Sequence, residues 1–162
     1  MIVVACDPGY ERLGLAVLKG AGSKAELLYS DCFKTKAEKD FETRLLEIGL
    51  EAKKLIRRHK PEVLAIETLL WGSNHKTAMR VAEVRGVLIF LAKESGLSLA
   101  EYSPSAVKSA VCGDGRADKN QIISMVPKLV GIKKKIKHDD EYDAIAIGLT
   151  ALACFKPQTK RV

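Results

Sequence analysis

Four acids stand where an apolar core has least room for charge. Asp7 and Glu67 close the runs "IVVACD" and "VLAIE", and Asp140 and Asp143 open the segment "DDEYDAIAIGLTAL". Both runs have the length and composition of buried strands, and ligand sites in open α/β sheets lie beyond the carboxyl ends of such strands. If the two strands pair in parallel, their terminal acids are neighbours. Asp140 and Asp143 are three residues apart and share one helix face. A helix starting at the same sheet edge would bring four carboxylates together. Like charges a few ångströms apart raise one another's pKa or weaken the fold unless cations join them. Carboxylate oxygens suit magnesium or manganese, and two such ions about 4 Å apart serve phosphoryl transfer by activating water and stabilising the leaving oxygen. The pattern points to a metal-dependent phosphodiesterase.

Each acid also has a structural use. Asp7 fits the turn "DPG", where Asp before Pro and Gly is favourable, and Glu67 fits a solvated strand end. Asp139, Asp140 and Glu141 all suit the N-terminus of a helix, whose free N–H groups and dipole favour anions. Asp143 fits least well, because it lies inside the helix just before the apolar run from Ala144 to Leu149. A cation is expected beside it.

These acids need elements to position them. "MIVVACD", "LGLAVL" and "AELLYSDCF" read as three strands joined by tight antiparallel connections. Apolar residues at 41, 45, 48, 52, 55 and 56 mark a helix from Phe41 to Lys60, acidic in its first half and basic at its end. "EVLAIE" is a fourth strand. Ala78, Val81, Ala82, Leu88, Ile89 and Ala92 mark a second helix, interrupted by Arg85, and "LSLAEYS" is a fifth strand. A short helix follows Ser103 and Pro104. Asp118 and Gln121 form an Asp variant of the capping box ahead of Ile122, Val126 and Leu129, with Pro127 bending or shortening that helix. The acid-led helix completes the series. The order predicts an α/β fold with a mixed five-stranded sheet and helices on both faces, as a single domain over residues 1–156 with a short tail at 157–162.

The combined series "DPGYERLG", "LAIETLLWGSNHKTAMRVAEVRG", "YSPSAVKSAVCGDGRADKNQI" and "DDEYDAIAIGLTAL" resembles the RuvC-type Holliday-junction resolvases, crossover junction endodeoxyribonucleases of ribonuclease-H-like fold. The resemblance covers about residues 2 to 154. It implies a catalytic and metal-binding quartet of Asp7, Glu67, Asp140 and Asp143, holding two Mg2+ ions per subunit, with Mn2+ as a substitute. It favours Asp140 over Asp139 through the acid-x-x-acid-Ala pattern. It also implies a homodimer that nicks a four-way DNA junction symmetrically, leaving 5'-phosphate and 3'-hydroxyl ends, and that partners RuvA and RuvB in recombination and repair. The family's two lysines fall on Lys108 and Lys119. Lys119 sits at a helix start, an unfavourable place in the dipole that an adjacent phosphate would repair. It is therefore expected near the reacting phosphate, with Lys108 holding the backbone.

Where family members often carry Gln after the second acid and an aromatic three positions beyond it, this chain has Thr68 and Leu70. Trp71 is the adjacent candidate for stacking at an opened crossover. Leu70, Trp71, Asn74, Lys76, Arg80 and Arg116 complete the expected DNA contacts, with His75, Arg85 and His138 as secondary candidates; Arg85 has a buried ion pair as its alternative role. Other readings are a ribonuclease-H-like enzyme that processes RNA and a catalytically silent junction-binding protein.

Composition agrees with a polyanionic partner. The chain has 162 residues, 47% hydrophobic and 29% charged, with 27 Lys and Arg against 20 Asp and Glu for a net +7. Cys6, Cys32, Cys112 and Cys154 form no CxxC pair and read as small buried hydrophobes of a reducing compartment. No apolar run approaches the roughly 20 residues that span a bilayer, so a cytoplasmic protein is expected.

Overall fold

The computed structural model of the chain describes residues 1–21, 24–69 and 75–156. Its elements are β1 (Ile2–Asp7), β2 (Arg12–Ala21), β3 (Lys24–Lys34), α1 (Phe41–His59), β4 (Val63–Glu67), α2 (His75–Glu94), β5 (Ser98–Tyr102), α3 (Pro104–Cys112), α4 (Lys119–Leu129) and α5 (Asp139–Cys154). The five strands form one mixed sheet in the order β3-β2-β1-β4-β5. β1 pairs antiparallel with β2 and parallel with β4, so Asp7 and Glu67 end neighbouring strands at one edge. This is the α/β, ribonuclease-H-like architecture that the sequence predicts.

Side chains alternate across a strand, and this parity assigns the acids to a face. Val3 and Ala5 of β1, with Val63 and Ala65 of β4, belong to the core packed under α3, α4 and α5. Val4, Cys6, Leu64 and Ile66 belong to the opposite core, under α1 and α2. Asp7 and Glu67 continue the first set. Both strand-end acids therefore turn toward α5.

Local signals place the helices. Asp40 caps α1, its Oδ1 accepting from the Thr43 N–H at 2.7 Å, and Ser103 caps α3 through the Ala106 N–H at 3.2 Å. The Asp118–Gln121 capping box is complete in both directions. Pro127 lies inside α4, which ends two residues later. On α2 the inward face is Ala78, Val84, Arg85, Leu88, Leu91 and Ala92, whereas Ala82, one of the residues expected to mark that face, is exposed. The expectation of four buried cysteines holds for Cys6 and Cys32; Cys112 is half-buried and Cys154 exposed, because it is the last residue of α5.

α5 lies flush on the sheet because two glycines let it. Added at Gly148, a Cβ would collide with Leu18 and press on Ala5; at Gly14 it would collide with the Asp140 carbonyl and approach the Asp7 Cβ. Gly14 is the β2 partner of Asp7. The start of α5 is thus set directly beside the first acid.

Candidate active site

A cleft of about 260 Å³ opens at this sheet edge, lined by Asp7, Glu67, Pro104, Val107, Lys108, Lys119, Ile122 and Asp143. β1 and β4 deliver the first two acids, α5 delivers Asp143, the middle of α3 delivers Lys108 and the start of α4 delivers Lys119. Asp140 stands one turn before Asp143 and turns toward the β2 side, where Arg12 Nε approaches its Oδ2 at 3.2 Å. Cys32 Sγ lies 4.0 Å from the same oxygen. Asp139 is the outward neighbour, with 48% of its side chain exposed against 17% for Asp140.

The cation expected beside Asp143 is Lys119, whose ammonium donates to Asp143 Oδ2 and stands 3.5 Å from Asp139 Oδ2. Three carboxyls are held in tension. Burial, then the charges of Asp143, Glu67 and Asp140, push Asp7 up to about 8, with Lys119 opposing. Burial and Asp143 raise Glu67 against Lys119, Arg85 and Lys108. Burial also raises Asp143, and the bond and charge of Lys119 oppose it. Burial pulls Lys119 down, but its bond to Asp143 and the charges of Asp143, Asp139 and Asp7 raise it overall. A site that desolvates acids and sets them against one another gains most from a hard divalent cation.

The donor set fits such an ion chemically: all four side chains offer carboxylate oxygen, and none of their immediate partners is a soft ligand except Cys32. Among the described residues, no three His, Cys, Asp or Glu side chains are drawn together closely enough to enclose an ion as they stand. Lys119 pairs with Asp143 inside the cleft, whereas Asp140, paired with Arg12, is not among the residues that line it.

Arg85 supports the site from behind. Its guanidinium is buried, donates to the Glu67 carbonyl and pairs with Glu101, which is the ion-pair role and fastens the end of β4 to β5. Arg80 stacks on Tyr10 and Phe41, with its guanidinium carbon 5.1 Å from each ring centre, so it ties α2 to the turn after Asp7. Arg116 is exposed in the α3–α4 loop, and His138 precedes α5 without a side-chain cap bond. Leu70, Trp71 and Asn74, with the side chains of His75 and Lys76, lie outside the described residues. Sequence reasoning did not single out Arg12. The stretch "DPGYERLG" shows a cation at the start of β2 but not the distant acids it meets.

Comparison with known proteins follows the same lines. The family profile described as "Crossover junction endodeoxyribonuclease RuvC" matches residues 3–151. Proteins of that description from Moorella thermoacetica and Ruminiclostridium cellulolyticum are each 38% identical, the first over 99% of this chain and 96% of its own length, the second over 92% and 90%. The solved structure "T. thermophilus RuvC in complex with Holliday junction substrate" superposes with a TM-score of 0.86 at 32% identity, over 93% of this chain and 92% of that one.

Proposed function

We propose, for a chain that belongs to the family of the crossover junction endodeoxyribonuclease RuvC, a division of labour among the residues that carry out this family's metal-dependent cleavage of Holliday junctions. The observation that supports it best is the cleft in which Asp7, Glu67 and Asp143 face Lys108 and Lys119. Asp7, Glu67, Asp140 and Asp143 are the ligands of two Mg2+ ions. When bound, these ions supply a readied water and neutralise the departing 3' oxygen. The chain's own work is to hold the carboxylates at a desolvated edge, to keep Lys119 beside the reacting phosphate, and to let Lys108 hold the neighbouring phosphate. The products are a 5'-phosphate and a 3'-hydroxyl. Trp71 or Leu70, with Asn74, Lys76, Arg80 and Arg116, contacts the DNA around the crossover. Residues 1–156 act as one nuclease domain.

Symmetric nicking needs two sites, and the reading includes a homodimer. α1 and α2 support a location for it. Leu46, Leu50 and Phe90, 58–65% exposed, line a groove on these two helices together with Gly49 and Gly86, and Met79, 62% exposed, lies on α2 outside that groove. Such a patch marks an association surface. The dimer works with RuvA and RuvB in the cytoplasm; among the described residues no helix is long and apolar enough to cross a membrane.

End-labelled four-way DNA, duplex DNA and RNA, incubated with Mg2+, Mn2+ or EDTA, test the reading. Symmetric junction nicks that vanish in EDTA and fall at least about 100-fold in Asp7→Asn are expected. Junction binding without nicks would point to a silent binder, and preferential turnover of RNA to an RNA-processing nuclease.

A further inference from the structure

Asp139 is an acid that the proposed metal ligation leaves over. It nevertheless approaches two cations, one on β2 and one lining the cleft: Arg12 Nη1 lies 3.8 Å from its Oδ1, and Lys119 Nζ lies 3.5 Å from its Oδ2. Each of those cations also holds one proposed ligand, Arg12 on Asp140 and Lys119 on Asp143. The arrangement is a chain of alternating charge, Asp140–Arg12–Asp139–Lys119–Asp143, with the two proposed ligands at its ends and Asp139 in the middle. A metal cation arriving between Asp140 and Asp143 competes with Arg12 and Lys119 for the two carboxylates, each of which is engaged through its Oδ2. Two released cations beside a metal ion would repel it and one another, or swing into solvent.

We propose that Asp139 is a positioning residue that receives Arg12 and Lys119 when metal withdraws Asp140 and Asp143, lowering the cost of metal entry and keeping both cations at the rim facing the DNA. This rests on the acidic quartet being the metal site. The side chains have the freedom it requires: Arg12, Lys119 and Asp139 are each nearly half exposed, while Asp140 and Asp143 are more covered. The transfer needs rotation about side-chain bonds and no movement of α5. Exposed pairs of this kind contribute little each, so the effect on metal affinity is modest and measurable.

The test is Mn2+ affinity of the full chain without DNA, followed by calorimetry and by the Mn2+ paramagnetic resonance signal. Asp139→Asn is expected to weaken Mn2+ binding about three- to tenfold, and Asp139→Glu to restore most of it. A nearby negative charge acting only at long range would give the same first result, and a double-mutant cycle separates the two. In an Arg12→Gln/Lys119→Gln background, a receiving role predicts that Asp139→Asn changes affinity by less than about twofold; an unchanged three- to tenfold loss there would overturn the proposal. So would full affinity in the Asp139→Asn single variant, or wild-type protein that binds no Mn2+. Junction cleavage by the wild type, assayed in parallel, reports separately on the functional reading: cleavage with a failed cycle rejects only the role of Asp139.

Discussion

The two faces of the sheet carry different kinds of helix packing. On one face α5 is seated against the strands through Gly14 and Gly148, so closely that a methyl group at either position has no room. On the other, α1 and α2 cover their half of the core but leave Leu46, Leu50, Met79 and Phe90 turned outward. The tight face fixes where charge sits, and the loose face leaves apolar area unpartnered. Tight packing is what a site of opposed carboxylates requires, because repulsion among them would otherwise lift the helix that delivers two of them.

The largest effect should come from relieving that repulsion. Asp7 has a folded-state pKa raised from 3.8 to about 8 by burial and neighbouring acids, so the ionised carboxylate weakens the fold. The penalty is absent below about pH 3.8, grows as pH rises, and is complete above about pH 8. Asp7→Asn removes it. Metal-free Asp7→Asn protein is expected to melt several degrees above wild type at pH 8, with the gap closing on acidification. Thermal melts across pH in EDTA check this, and equal midpoints at pH 8 would mean that α5 is not held against electrostatic strain.

A second pair of substitutions compares the faces directly. Gly14→Ala drives a Cβ into the Asp140 carbonyl, a backbone contact that yields only if α5 shifts; a loss of about 1–3 kcal/mol is expected, with junction cleavage lost as well. Gly86→Ala meets nothing within 4 Å and lies in the interior of α2. Its fold should gain up to about 1 kcal/mol from helix propensity. Urea unfolding and cleavage assays on the two variants, side by side, read both effects. Comparable destabilisation would erase the distinction between a seated and a loosely covered face.

The outward apolar patch gives the third comparison. Phe90→Glu places a charge in the proposed dimer contact while touching little of its own subunit, where the side chain is 65% exposed. Dimer association should weaken more than tenfold by sedimentation equilibrium, with Mn2+ binding unchanged and thermal stability of the isolated subunit within about 0.5 kcal/mol. A dimer of undiminished strength would move the interface off α1 and α2.

Much of this is legible in the sequence. Two apolar runs ending in acid announced the site, and the caps at Ser103 and Asp118 announced α3 and α4, because strand length, burial and capping are local properties written in consecutive residues. What escaped depends on residues far apart. Arg12 meets Asp140 across more than 120 positions, and no spacing rule reaches that far. The outward side of α1 and α2 escaped for another reason: an apolar residue on an exposed helix face has the same composition as one that fills the core, so periodicity places Ala82 inward and does not single out Phe90.

Glu141 shows the same limit at the smallest scale. Its sequence position suits the dipole of α5, yet the side chain is buried, accepts from Ser30 Oγ at 2.6 Å, and lies 2.8 Å from Lys134 Nζ. Lys134 also donates to the Ser30 carbonyl at 2.5 Å. The three residues clasp the start of α5 to β3, on the flank away from β4. Ser30→Ala removes one donor but leaves the glutamate its ammonium partner, so a stability loss of about 1 kcal/mol is expected. Cleavage should fall less than about threefold, since Gly14 still seats Asp140 against the sheet and Lys119 still holds Asp143. Denaturant midpoints and initial cleavage rates on the same preparation decide it. A large loss of rate with a small loss of stability would mean that α5 is aimed by this clasp at its outer edge rather than by the close contact at Gly14.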